Sequence, residues 1–159
     1  MILVLLGTQN NDFTRLLEAV QENINNKTIN EEVIVQAGFT RFNSKDMKIF
    51  SLVDKDRIAK LQDKADLVIC HGGVGSIVSS LEKGKKVIVV PRLKKYGEHV
   101  NNHQIQLAKK YANEGYVKVV LDEKDLGDAI KSMAEFEPKK YERQETNILS
   151  IISNYIDNN

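Results

Sequence analysis

The run His71-Gly72-Gly73-Val74-Gly75-Ser76 is the part of this sequence best suited to chemistry. An apolar stretch, Asp66-Leu67-Val68-Ile69-Cys70, leads into it, and a helical pattern leads out toward Leu81-Glu82-Lys83-Gly84. Glycines between a strand and a helix let backbone N–H groups approach a ligand closely, and the helix N-terminus adds partial positive charge. That combination suits a phosphate. Ser76 adds a hydroxyl, and His71 stands at the carboxyl end of the strand, where open parallel sheets bind ligands. A second turn, Gly7-Thr8-Gln9, follows the apolar run Ile2 to Leu6 and is placed to share that sheet edge. Together the two turns read as half of a nucleotide-diphosphate site.

Other residues invite chemistry less strongly. The segment Pro91 to Asn102 reads as a long polar loop, and long loops in compact domains often carry function. Its Arg92, Lys94 and Lys95 are either a solvated face or a contact for phosphates or an anionic lipid surface. His99 and His103 stand four apart and, with Glu98, suggest zinc. Zinc needs three or four well-placed ligands, and the single cysteine, Cys70, sits in a strand, so no metal is expected. Asp54-Lys55-Asp56 has the D-x-D form that can hold a divalent ion on a diphosphate. Its place at a helix start favours capping and dipole complementarity instead. No Ser-His-Asp arrangement is legible, so a catalytic base cannot be named.

The elements that must position these residues follow from periodicity. Ile2 to Leu6 reads as a buried parallel strand, followed by helical spacing at Phe13, Leu16, Leu17 and Val20. Strands are expected at Val33–Gln36, Met47–Leu52, Leu67–Cys70, Val87–Val90 and Val117–Leu121. Helices are expected from Asp54 to Lys64, after the glycine turn, from His103 to Asn113 with Gly115 as its stop, and from Leu126 to Met133. Pro138 then breaks the chain, and residues 138–157 carry a last helix with Ile148, Leu149, Ile152, Tyr155 and Ile156 on one face, which reads most simply as core packing and otherwise as a face for docking on a partner. Alternating strands and helices give one α/β domain over residues 1–159, a Rossmann-like, doubly wound parallel sheet of about six strands.

Composition sets bounds on function. The chain has 159 residues, 42% hydrophobic and 28% charged, with a net charge of +1, so no global field favours nucleic acid. One cysteine allows no internal disulfide, and its apolar strand makes it an inert thiol. The opening run is too short and lacks the basic start of a signal peptide, and no apolar run approaches the ~20 residues needed to cross a membrane. A cytoplasmic protein is expected, with any membrane role arriving through a partner or a lipid substrate.

Several linked motifs resemble one family: Gly7-Thr8 with Phe13 and Leu16; the His71 to Ser76 turn; Gly84-Lys85-Lys86; Val89-Val90-Pro91-Arg92; and Tyr96-Gly97-Glu98-His99-Val100 with His103-Gln104. The chain resembles the small donor-binding half of split GT-B glycosyltransferases, equivalent to the family 28 type C-terminal domain. Members include the cytosolic subunit of the UDP-GlcNAc transferase of dolichol-linked oligosaccharide synthesis, and bacterial subunits that build capsular and exopolysaccharide repeats. The resemblance implies an inverting transfer from a UDP-sugar to a polyprenyl-diphosphate-linked sugar, without a bound metal or other cofactor. A membrane-anchored partner subunit would supply the acceptor half of the cleft and the base, and would hold this chain at the inner membrane face.

The resemblance also assigns residues. Gly7, Thr8 and Gln9 would approach the diphosphate or the acceptor. His71, Gly72, Gly73, Gly75 and Ser76 would hold diphosphate and ribose, with Arg92 among the donor contacts. Glu98, His99, His103 and Gln104 would contact the sugar or the nucleotide. Two departures stand out. Ser79 occupies a position where relatives often place an acid suited to the ribose, and Asn101-Asn102 precedes His103-Gln104 where relatives often have acidic residues. Two further readings stay open: a nucleotide-binding regulatory or structural module of the same fold without turnover, and a stand-alone α/β enzyme on a nucleotide substrate.

Overall fold

The computed structural model describes residues 1–142. Six strands form one all-parallel sheet: β1 (Ile2–Leu5), β2 (Val33–Gln36), β3 (Met47–Phe50), β4 (Leu67–Cys70), β5 (Lys86–Val89) and β6 (Lys118–Val119). Their spatial order is β3-β2-β1-β4-β5-β6. Five helices pack on it: α1 (Thr14–Asn25), α2 (Lys55–Lys64), α3 (Val74–Glu82), α4 (His103–Asn113) and α5 (Leu126–Ser132). Among the described residues no helix is long and apolar enough to cross a membrane.

The unbroken apolar strands follow from burial on both faces. Side chains alternate across a strand. Ile2, Val4 and Leu6 therefore join Ile69, Ile88 and the α1 residues Leu16, Leu17 and Val20 in one core, with Leu126 of α5. Leu3 and Leu5 join Val68, Val87 and Val89 in the other, packed by Ile77 and Leu81 of α3 and Ala108 and Tyr111 of α4. Ile58 and Leu61 of α2 cover this second core. The sheet is thus doubly wound, as its sequence pattern predicts.

Chain order reverses at the middle of the sheet, where β1 is flanked by β2 on one side and β4 on the other. In register, Leu5 lies beside both Gln36 and Cys70, so the turns after β1 and β4 leave the sheet side by side. Such a switch point opens a crevice at the carboxyl edge.

Differences from the sequence reading lie mostly at element ends. β1 stops at Leu5, β3 at Phe50, and β6 shrinks to two residues. Within the loop after Pro91, Lys94–Tyr96 form a 3-10 turn that Gly97 ends in the left-handed region. Residues 138–142 carry no helix, and the rest of the expected last helix lies outside the described residues.

Candidate functional site

The site is built around the His71 imidazole, which is buried at the end of β4. Gly7, at φ +80°, passes so close that a Cβ there would lie 2.5 Å from His71 Nε2. A Cβ on Gly73 would fall on the same ring at Cε1, and one on Gly72 would lie 2.5 Å from Gln104 Cβ. These glycines are close-approach positions, where any side chain would displace the ring or the Gln104 stem. The Gly7 peptide is itself held by Gln36, whose Oε1 accepts from Gly7 N–H at 3.2 Å and whose Nε2 donates to Gly7 O at 3.0 Å.

From Gly73 the chain enters α3. No side-chain cap closes its N-terminus, and its first turn carries no acidic residue. Gly75 faces open space, with nothing within 4 Å of a Cβ built there. Ser76 Oγ stands 3.4 Å from His71 Nε2. The first-turn N–H groups of a helix point out of its end and attract anions. Burial, with Arg92 and His99 adding positive field, pulls the His71 pKa down to about 3. His71 is therefore a neutral partner at this edge.

Behind the crevice lies a buried polar frame. Arg92 is 1% exposed and does not belong to a solvated face. Its guanidinium donates to the carbonyls of Leu6 at 2.7 Å, Asn11 at 2.7 Å and Glu98 at 3.1 Å, tying the turn after β1 to the segment after β5. Burial lowers its pKa to about 10, opposed by Glu98 and Asp12, so it stays cationic at neutral pH. Glu98 receives Arg15 through both oxygens, each at 3.0 Å, and accepts Leu93 N–H at 3.0 Å. Arg15 also reaches Glu123 at 3.2 Å and lies over the Tyr96 ring. Gln104 Oε1 accepts N–H groups from Gly72 at 3.0 Å and Arg92 at 2.9 Å.

His99 closes the frame on the other side. Its Nδ1 accepts Asn101 N–H at 3.2 Å, so its proton sits on Nε2. Gln9 Nε2 lies 3.0 Å from that nitrogen, and the amide turned the other way would offer its oxygen to the proton there. Burial and the positive field of Arg92 and His103 lower the His99 pKa.

The residues expected to bind donor thus divide. Gly7, Gln9, His71, Gly72, Gly73, Gly75 and Ser76 converge on the crevice, and Thr8 is exposed at its rim. Arg92, Glu98 and Gln104 are buried and committed to protein partners, so they frame the site instead of presenting free groups. His103 is half-buried at the start of α4, its Nδ1 facing Gln106 Oε1 at 3.3 Å. His99 and His103 turn to different partners, and no described cluster of His, Cys, Asp or Glu is arranged to hold a metal. Asp54 accepts Arg57 N–H at 2.8 Å, which makes the D-x-D motif a helix cap. Ser79 accepts from Gln62 Nε2 at 2.9 Å and places no charge on α3. Gln36 and Arg15 were missed in the sequence. A polar residue closing an apolar strand was a signal for the first, and nothing local marks the second.

Three comparisons bear on this arrangement. The profile of the glycosyltransferase family 28 C-terminal domain matches residues 1–158. The human UDP-N-acetylglucosamine transferase subunit ALG13 is 46% identical over 63 residues, covering 40% of this chain and 5% of that protein. Its Candida glabrata counterpart is 36% identical over 73 residues, covering 45% of this chain and 35% of that one. The chain therefore spans only a small part of the curated relatives it matches. Among solved structures, the NMR solution structure of ALG13 superposes with a TM-score of 0.61 at 22% identity, over 94% of this chain and 93% of that one. Acinetobacter baumannii MurG gives 0.58 at 19% identity, over 82% of this chain and 40% of that one. Both share the fold.

Proposed function

The chain belongs to the glycosyltransferase family 28 C-terminal domain family, and on that premise we propose that it is the UDP-sugar-binding subunit of a two-subunit inverting glycosyltransferase. The acceptor is a polyprenyl-diphosphate-linked sugar in capsular or exopolysaccharide biosynthesis. A membrane-anchored partner subunit brings that acceptor and keeps this cytoplasmic chain at the inner membrane face. The observation that carries the reading is the uncapped, acid-free N-terminus of α3 beside a neutral His71 at the switch point of the sheet.

In the proposed reaction the α3 N-terminus and the Gly7 and Gly73 backbone take the diphosphate, and the charge that develops on departing UDP is stabilised there. Gln9 and Thr8 lie on the acceptor side. Holding the donor in line with the acceptor supplies the rest by positioning. The chain's own acids and imidazoles near the crevice are already engaged: Glu98 with Arg15, His99 with Gln9 and Asn101. On this reading, as in the family the chain resembles, the base that deprotonates the acceptor hydroxyl comes from the partner subunit. Transfer proceeds without a metal.

The uncharged Ser79 favours a second reading, a nucleotide-binding module of the same fold without turnover. Calorimetry on the isolated chain with UDP, UDP-sugars and ADP tests the first step. Selective uridine binding is expected, and equal or absent binding of all three removes the donor reading. Sugar transfer on adding the partner and a lipid-linked acceptor separates enzyme from module.

A further inference from the structure

Gln104, which the resemblance implies as a contact of the sugar or the nucleotide, is 4% exposed and its side chain points back into the protein. It sits in the first turn of α4 and bridges the ends of two strands. N–H groups of Gly72, after β4, and Arg92, after β5, converge on one end of its amide at 3.0 and 2.9 Å. Only an oxygen can accept both, so that end is Oε1 and the opposite end is the NH2 group. The NH2 group faces His71 Nδ1 at 3.3 Å. A donor there requires a lone pair on Nδ1, and a neutral imidazole then carries its single proton on Nε2.

The ring is closely packed where this assignment places it. Gly7 passes over it on the Nε2 side and Gly73 on the Cε1 side, both too close to admit even a Cβ. Nε2 is directed to Ser76 Oγ, 3.4 Å away in the first turn of α3. The opposite tautomer would set two N–H groups against each other at Gln104 and aim a bare lone pair at the anion-binding end of the helix. Burial keeps the ring neutral, so the tautomer is the only variable left to fix.

We infer that Gln104 is a positioning residue: it holds His71 as the neutral Nε2–H tautomer and aims that proton at the diphosphate end of the α3 N-terminus. The tautomer stands on the geometry alone, and the identity of the acceptor rests on the donor reading proposed above. The arrangement gives the site one more N–H donor without burying a charge, and ties it rigidly to the ends of β4 and β5.

Histidine-labelled full chain, examined by long-range proton–nitrogen NMR at neutral pH without nucleotide, tests the tautomer. His71 is expected to show a protonated Nε2 and a bare Nδ1. The reverse overturns the inference. Gln104→Glu keeps an oxygen for the Gly72 and Arg92 N–H groups and replaces the amide donor facing His71 with a carboxylate oxygen, which accepts. A proton on Nδ1 is expected in that variant, and a Nδ1 that stays bare overturns the inference even if the wild-type spectrum agrees. Adding UDP to the wild-type chain should shift the His71 Nε2–H resonance. UDP bound with that resonance unmoved overturns the aim of the proton. A chain with the Nε2–H tautomer that binds no uridine nucleotide upholds the role of Gln104 and refutes the donor reading, so the two fail separately.

Discussion

Two helices begin on the same face of this sheet and end their backbones in opposite ways. α2 follows the edge strand β3 and satisfies itself: Asp54 accepts Arg57 N–H at 2.8 Å, Asp56 lies in the first turn and Lys64 in the last. α3 follows the central strand β4, takes Gly73 as its N-cap, and has neither a side-chain cap nor a first-turn acid. A glycine in place of a capping side chain costs a helix a few tenths of a kcal/mol, so about 0.3 kcal/mol is at stake here. The starts of α1 and α4 also lack a side-chain cap and a first-turn acid, so what sets α3 apart is its place at the switch point among glycines and a neutral imidazole, where on the proposed function an anionic ligand caps it from outside. The comparison separates a helix start that serves folding from one that serves binding.

Giving α3 what α2 already has should break the contrast most strongly. Gly75→Asp puts a carboxylate into open space in the first turn. Stability should hold or rise, since helix propensity and dipole both favour the change. UDP affinity should fall about a hundredfold, the order expected for like charges ~5 Å apart at an effective dielectric of 20. Unchanged affinity by calorimetry would remove the phosphate from this helix. The next largest effect comes from Gly73→Ala, whose Cβ meets the buried His71 ring. Overpacking of this kind costs about 1–3 kcal/mol, read in a urea midpoint, and UDP binding should weaken with it. A wild-type midpoint would mean that the ring moves freely and that the glycines do not define its place.

What the sequence showed and what it hid divide by range. The Asp54 cap spans three residues, and the His71 turn is contiguous, so both were readable from neighbours alone. The apolar strands were readable because a sheet covered on both faces needs no alternation. The fate of Arg92 was not. A basic residue before two lysines reads as either solvated or a phosphate contact, yet its partners Leu6 and Asn11 lie more than 80 residues away in the chain. Glu98 and Gln104 share the difficulty: the family resemblance implies that each contacts the sugar or the nucleotide, and nothing local shows that each is engaged by backbone N–H groups or by Arg15. Long-range satisfaction of buried polar groups leaves no local pattern. Gln36 lies between the cases, since its place at the end of an apolar strand hints at a special role that only Gly7 explains.

The contrast also has a pH signature. His71 titrates near 6.5 when unfolded and at about 3 when folded. Between those values the unfolded chain holds a proton that the folded chain lacks, so stability is full above pH 6.5 and declines as pH falls. His71 alone contributes a slope of at most about 1.4 kcal/mol per pH unit in that window. Urea midpoints at pH 7.5, 6.5 and 5.5 should fall in that order. His71→Gln should flatten the lower part of the series, and an equally steep series in that variant would assign the slope to other groups.

The smallest effect is the most discriminating control. Asp54→Ala removes the α2 cap and leaves Arg57 N–H without its acceptor. A loss of about 1 kcal/mol is expected from denaturant unfolding, with UDP affinity unchanged. Asp54 stands just beyond the carboxyl end of β3, the same sheet edge as His71, and pairs with Asp56 in a metal-like spacing. Its alternative role would be to act on a diphosphate through a cation. Loss of binding with stability intact would move Asp54 from the folding side of the comparison to the binding side. Loss of stability with binding intact leaves α3 as the one helix start, of the two, that is built for a ligand.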